Sequence, residues 1–385
     1  MGERVIYLDC AAATPLDERV FDVMRPYLTT EFYNPSSSYR AARRVQADYE
    51  AARHRLAMAL GAKQHEIILT AGSTESINLA VHGIIGQYGG QVAASGIEHA
   101  AVLAAATRHQ HDTIAVDSRG YVTPEAVQRT ITPDTSLVSV GYANNELGTV
   151  QPLRDIAAVV ERERQQRLAA GNLHPIFLHS DASQAVGLLD ISVARLGVDL
   201  MTIGAGKCYG PKQVGLLWLR AGLRLQPLID GGGQENNLRS GTENVAGVIG
   251  FAEAVAIAVA TRKQEGYRLG QLRDRLWAHL ERAVPGIVRN GHPKRHVPHI
   301  LHVSIPDLDG ERAVFALDER GVLLATGSAC AANSGTRSHV LAAIGMSDDL
   351  ADGSLRCSVG RMTTEADIDE AAHRMIEVIT KERGR

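Results

Sequence analysis

The sequence predicts an α/β fold with a mostly parallel sheet and a smaller α+β unit beside it. Three observations predict it. Between Ile67 and Arg220, short β-rich runs alternate with helix-length stretches. A glycine cluster, Asp230-Gly231-Gly232-Gly233, then breaks the alternation, and a long helix-like segment follows from Glu243 to Ala283. Finally, the remainder from Gly286 to Arg385 carries its own mixture of strand and helix runs. Strands alternating with helices indicate a parallel sheet covered on both faces.

Taken in order, the expected strands are Glu66–Thr70, Gln91–Ser95, Leu137–Tyr142, Ile176–His179, Asp199–Ile203 and Gly215–Leu219. The helices between them are expected at Ser76–Ile85, Ala100–His109, Pro124–Ile131 and Leu153–Leu168. The smaller unit is expected to hold strands at Ile300–Ser304 and Leu355–Val359, with helices near Gly310–Arg320 and Thr364–Lys381, and to be joined by the N-terminal segment. The apolar stretch Val245–Ala260 is interrupted by Glu253 and is short for a bilayer span, so it reads as a buried helix and no membrane association is expected.

Composition removes several function classes. The 385 residues include 40 Lys+Arg and 43 Asp+Glu, a net charge of −3, without the basic excess that phosphate-backbone binding needs. Aromatic residues are 4%, too few for a base-stacking surface, so direct nucleic-acid binding is not expected. The segment Met1–Cys10 has no basic region followed by an apolar run, which predicts no export leader. Cys10, Cys208, Cys330 and Cys357 form no CxxC pair, so no metal site is expected, and they read as reduced thiols of a cytoplasmic protein.

In parallel sheets, ligands sit beyond the carboxyl ends of the strands, so the residues just after each run carry the functional signal. Thr70-Ala71-Gly72-Ser73-Thr74-Glu75-Ser76 joins a strand to a helix; its N–H groups suit an anion, and equally an ordinary helix cap. His179-Ser180-Asp181 ends a strand with a carboxylate that can face a cationic ring nitrogen or simply cap a turn. Gly204-Ala205-Gly206-Lys207 places a lysine in a glycine-rich turn, where desolvation could make it a nucleophilic amine. Cys330 lies among Ser, Ala and Gly in Gly327–Gly335, the setting of an exposed and mobile nucleophile, whereas Cys10 and Cys357 fall in strand-like runs and read as inert core thiols.

Together these residues resemble the class V, fold-type I pyridoxal phosphate (PLP) enzymes, and within them the cysteine desulfurases of the NifS/IscS type. The resemblance runs nearly end to end. It is carried by Tyr7-Leu8-Asp9, Ala13-Thr14-Pro15, Gly72-Ser73-Thr74-Glu75-Ser76, Glu98-His99, Asn144-Asn145-Glu146, Asp181-Ala182-Ser183-Gln184, Lys207 with Tyr209-Gly210-Pro211-Lys212, Arg239-Ser240-Gly241-Thr242, Gly327-Ser328-Ala329-Cys330 and Leu355-Arg356-Cys357 through Gly360-Arg361. It implies a large PLP-binding domain over 15–261, and a small domain over 1–14 and 262–385 that carries the cysteine segment.

The resemblance also implies roles. Lys207 matches the lysine that bonds PLP covalently and later moves protons. Asp181 matches the acid paired with the ring nitrogen, Gln184 the partner of the ring hydroxyl, and His99 the histidine stacked on the ring. Ser73 and Thr74 match the phosphate-binding turn. Thr242 matches a threonine that reaches the phosphate of the other subunit, implying a homodimer. Asn145 and Arg356 match the holders of the substrate carboxylate. Cys330 matches the nucleophile that takes sulfur from L-cysteine as a persulfide and passes it to an acceptor protein. Selenocysteine lyase, another class V activity, or a scaffold paralogue are the alternative readings. The family reads Ser-x-His before the lysine where this chain has Gly204 and Gly206, so two phosphate donors are absent. The expectation is weakened PLP retention, restored by Gly204→Ser together with Gly206→His.

Overall fold

The computed structural model describes residues 5–327 and 337–383. Cys330, expected as the sulfur carrier, lies outside the described residues.

The larger sheet has seven strands. In chain order they are β2 (Ile67–Thr70), β3 (Gln91–Ser95), β4 (His111–Ile114), β5 (Thr135–Ser139), β6 (Phe177–Asp181), β7 (Leu200–Gly204) and β8 (Gly215–Leu219). Their spatial order is β2-β8-β7-β6-β5-β3-β4. The pairs β3–β4, β3–β5, β5–β6 and β6–β7 are parallel, while β8 runs antiparallel to both β7 and β2. Every residue of β2, β3, β5 and β7 is buried, which is why these strands read as apolar runs rather than alternating ones.

The expected strands at Gln91–Ser95, Gly215–Leu219 and Ile300–Ser304 are observed with those bounds. The expected helices are found at α3 (Ser73–Tyr88), α4 (Ala100–Ala106), α5 (Pro124–Thr130) and α6 (Leu153–Ala169). Sequence reading did not anticipate α1 (Glu18–Thr29), α2 (Arg40–Leu60) or the edge strand β4.

The long helix α8 runs unbroken over Val245–Ala283. By length and apolarity alone it could cross a bilayer. In the fold its N-terminal half is buried, with Val248, Phe251 and Val255 in the same apolar core as Val20 of α1 and Leu56 of α2. Its C-terminal half supplies Leu269, Leu272, Leu276 and Leu280 to a second core. That core also takes Leu8, the strand β10 (Ile300–Ser304), the strand β12 (Ser354–Ser358), the helix α9 (Gly310–Asp318) and the C-terminal helix Glu365–Arg383. Strand β10 pairs antiparallel with β12 and with the short β9 (Val288–Arg289). The N-terminal strand β1 (Ile6–Tyr7) pairs with β11 (Val322–Leu323), bringing Asp9 against Ser358 at the end of β12. Residues more than 300 positions apart thereby meet at the carboxyl edge of the larger sheet.

Candidate active site

The site is assembled from chain segments leaving the ends of β2, β3, β6 and β7. After β2 the backbone must reverse into α3 within two residues, Ala71 and Gly72. Gly72 does this at φ +126°, a conformation that side-chain-bearing residues rarely adopt. Strand β8 presses on the same turn, since a Cβ at Gly215 would lie 2.6 Å from the Gly72 carbonyl carbon. The Thr70 and Ser76 hydroxyls lock the turn across 2.8 Å. Ser73 and Thr74 then occupy the first turn of α3, where helix geometry leaves N–H groups without intrahelical partners.

After β3, His99 caps α4: its Nδ1 accepts the Ala101 N–H at 3.1 Å. That bond assigns the proton of the neutral ring to Nε2. Burial pulls the His99 pKa below the usual histidine value, and the Asp181 charge only partly opposes it, so the imidazole is neutral at pH 7. The neighbouring Glu98 is more perturbed. Burial pushes its carboxyl up to about 8, and the Asp181 charge adds to the effect. Glu98 Oε1 accepts the Gly141 N–H at 2.8 Å, while Oε2 is buried without a hydrogen-bond partner among the described residues.

After β6, Asp181 Oδ1 accepts the Ser183 N–H at 2.9 Å. Gln184 Nε2 donates to the Ala11 carbonyl at 2.9 Å, which ties the N-terminal segment across the site. After β7 a single 3-10 turn, Ala205–Lys207, presents Lys207. Its Nζ donates to the Ala12 carbonyl.

From the smaller core comes Arg356, on β12, with 1% of its side chain exposed. One guanidinium nitrogen pairs with Asp9 Oδ1 at 2.6 Å and another donates to the Asn145 carbonyl at 3.0 Å. Arg356 Nε is buried with no hydrogen-bond partner among the described residues. A buried donor left unpaired is costly, and it marks where an acceptor belongs.

Two cavities meet at Lys207. One, of about 180 Å³, is lined by Ala12, His99, Asn145, Asp181, Gln184 and Arg356 as well as Ser73 and Lys207. The other, of about 660 Å³, is lined by Ser73, Thr74, Glu75, Gly204, Gly206, Lys207 and Lys212. Ten expected site residues are thus brought together in one chain: Ser73, Thr74, His99, Asn145, Asp181, Gln184, Gly204, Gly206, Lys207 and Arg356. Thr242 is exposed and lines neither cavity of its own chain. Sequence reading gave no separate role to Glu98 or Asp9. Glu98 was visible only as part of a motif, and the Asp9–Arg356 pair has no local signal.

The donor set fits PLP. An amine at the junction suits the aldehyde. A carboxylate at a strand end suits a protonated ring nitrogen. A helix first turn with two hydroxyls suits a phosphate, and the unpaired Arg356 Nε suits an additional carboxylate.

The family described as aminotransferase class-V matches residues 6–371. The chain belongs to this family. As a class-V protein it is similar to the cysteine desulfurase IscS of Dictyoglomus turgidum, 38% identical over 389 residues that cover 99% of this chain and 96% of the relative. It is similar to a solved NifS-like protein at a TM-score of 0.90 and 31% identity, covering 98% of this chain and all of the other. A solved structure of SspA in complex with cysteine matches at a TM-score of 0.80 and 31% identity, covering 92% of this chain and 98% of that one. Members of the family are PLP-dependent, and this class-V chain takes the same cofactor.

The geometry distinguishes the two glycines. A Cβ at Gly206 would meet nothing closer than Lys212 Cγ at 3.8 Å, whereas one at Gly204 would lie 3.1 Å from Ser73 Oγ. The positions are therefore not equivalent. Gly206→His alone is expected to slow PLP loss on dialysis roughly tenfold, the scale of one charge-assisted hydrogen bond. Gly204→Ser is expected to bring no gain, because it crowds the Ser73 hydroxyl. Absorbance of retained cofactor after timed dialysis measures both. If Gly206→His loses PLP as fast as the parent chain, no phosphate donor is missing at this position.

Proposed function

We propose that the chain is a PLP-dependent cysteine desulfurase, converting L-cysteine to L-alanine and leaving the sulfur as a persulfide on Cys330 for an acceptor protein. The observation that carries the reading is the position of Lys207 between a cavity holding His99, Asp181 and Arg356 and a cavity holding the Ser73-Thr74 turn.

Bound PLP supplies an electron sink that weakens bonds at the substrate's α-carbon. The chain's own residues do the rest. Ser73, Thr74 and the backbone at Gly204 and Gly206 hold the phosphate. Asp181 would keep the ring nitrogen protonated by charge, and Gln184 would bond the ring hydroxyl. Arg356 and Asn145 receive the substrate carboxylate; the Asp9 pair fixes the guanidinium, whose Nε is buried and unpaired among the described residues. Lys207 Nζ would hold the cofactor and would serve as a base at the substrate. His99, neutral with its proton on Nε2, offers that N–H to the reacting groups as a donor. The Cys330 thiolate then attacks the substrate sulfur. An S–S bond forms, the C–S bond breaks, its electron pair stays with carbon, and protonation completes alanine.

Three further readings belong to this proposal. The chain divides into 15–261 and a smaller unit of 1–14 with 262–385; separate apolar cores support the division, and α8 crosses it. It works as a homodimer, supported by the exposed position of Thr242 away from its own cavities. It acts in the cytoplasm without contacting nucleic acid, supported by its near-neutral charge and its thiols.

Incubation of the yellow, PLP-loaded protein with L-cysteine and a reducing thiol is expected to give alanine and sulfide in equal amounts. Pyruvate and ammonia in place of alanine, or turnover of selenocysteine with none of cysteine, would move the chain to another class-V activity.

A further inference from the structure

Glu75 puts a carboxylate where an anion must dock. It lies in the first turn of α3 and lines the larger cavity with Ser73, Thr74, Gly204 and Gly206. Its Oε2 accepts the Ala71 N–H at 3.0 Å, which pins the charge against the turn. An acidic side chain favours a helix N-terminus on its own, but it repels a phosphate dianion that uses the same N–H groups.

Arg239 answers that charge from far along the chain. Its Nε donates to Glu75 Oε1 at 2.9 Å, with the two side chains 25% and 19% exposed, so the pair is only partly screened by water. The loop that presents Arg239 is itself braced. Ser240 N–H bonds the Ile229 carbonyl at 3.1 Å, Gly241 N–H bonds Gln234 Oε1 at 3.0 Å, and Gly233 N–H reaches Ser240 Oγ at 3.3 Å. The preceding Glu235 is held by the buried Arg53 guanidinium at 2.6 Å and by the Leu69 N–H at 2.7 Å, which ties the same loop to β2, the strand that leads into the phosphate turn.

Resting on the PLP reading above, we infer that Arg239 is a positioning residue for the cofactor phosphate. It neutralises Glu75, so that the Ser73-Thr74 turn presents its N–H groups without an opposing negative charge. Its removal exposes the phosphate to Glu75 and leaves the rest of the ring site intact.

The test separates phosphate from ring. The full chain, stripped of cofactor, is titrated with PLP and with pyridoxal, which lacks the phosphate. Arg239→Gln is expected to weaken PLP binding about tenfold, the order expected of one partly screened charge beside a dianion. Pyridoxal affinity is expected to stay unchanged. Arg239→Lys keeps the charge and should bind PLP nearly as the parent does. The double variant Glu75→Gln with Arg239→Gln removes both charges and should recover most of the loss. Equal weakening of PLP and pyridoxal in Arg239→Gln, or a double variant no better than the single one, would show that Arg239 only supports the loop and would overturn the assignment. A parent chain that binds neither compound would overturn the cofactor reading itself.

Discussion

Replacing Cys330 with serine is expected to abolish sulfide release and persulfide formation from L-cysteine, a fall of at least about a thousandfold, while PLP stays bound. The reason lies in the state of the other thiols. Cys10, Cys208 and Cys357 are all buried. Burial pushes each of their thiol pKa values up to about 12. A raised thiol pKa keeps the proton on sulfur, so at pH 7 each holds a thiolate fraction of only about one in 10⁵. An ordinary exposed cysteine holds a few per cent, an advantage of roughly three orders of magnitude before any tuning. The three buried thiols therefore make poor nucleophiles, which supports the role proposed for Cys330. Alanine replacements at Cys10, Cys208 and Cys357 should each leave sulfide release within a few-fold of the parent chain. Mass measurement of the intact protein after cysteine treatment reads the added sulfur. A persulfide on the Cys330→Ser protein, or unchanged sulfide production by it, would transfer the role to another thiol.

The legible part of this molecule is the part whose signal is local. Strand β3 is buried throughout and β8 at all but its last residue, and a mostly apolar run bounded by glycine or polar residues marks both ends of such a strand. Strand β4 is the edge of the sheet. His111 and Thr113 are exposed, so its four residues look like a polar loop. Helix α2 carries a helical signal in the spacing of Val45, Tyr49, Ala52, Leu56 and Leu60, all buried. The arginines at 40, 43, 44, 53 and 55 break up that apolar stripe, and Arg53 is itself buried against Glu235 rather than lying on a solvated face.

The site divides the same way. Lys207, Asp181 and the Ser73-Thr74 turn are strand-end residues, and the rule that parallel sheets bind ligands at that edge points to them. Arg356 is different. Its orientation comes from Asp9, 347 positions away, and no spacing rule connects the two. Glu98 is hidden for another reason. Its carboxyl is raised by burial beneath Gly141 and beside Asp181, and depth is a property of the fold, not of the motif that contains it.

Lys207→Ala should remove the visible absorbance of the lysine-bound cofactor and lower desulfurase activity by several orders of magnitude, because in the proposed function one atom both holds PLP and moves protons. A second lysine makes this a sharp test. Lys212 lines the larger cavity as well, and its Nζ donates to the Thr14 carbonyl at 2.6 Å. Its position differs in the respect that matters. Lys207 borders both cavities, whereas Lys212 borders only the larger, phosphate-side one, away from Asp181, His99 and Arg356. An aldehyde on a ring paired with Asp181 is therefore within the domain of Lys207. Borohydride reduction of the loaded protein followed by peptide mapping should place the label on Lys207. The fold should survive the substitution, since Lys207 lies in a one-turn surface of the site and contributes no side chain to either apolar core. Unchanged thermal unfolding in Lys207→Ala would separate lost chemistry from lost structure. A label on Lys212, or a Lys207→Ala protein that keeps both its colour and its turnover, would show that the attachment point has been misplaced.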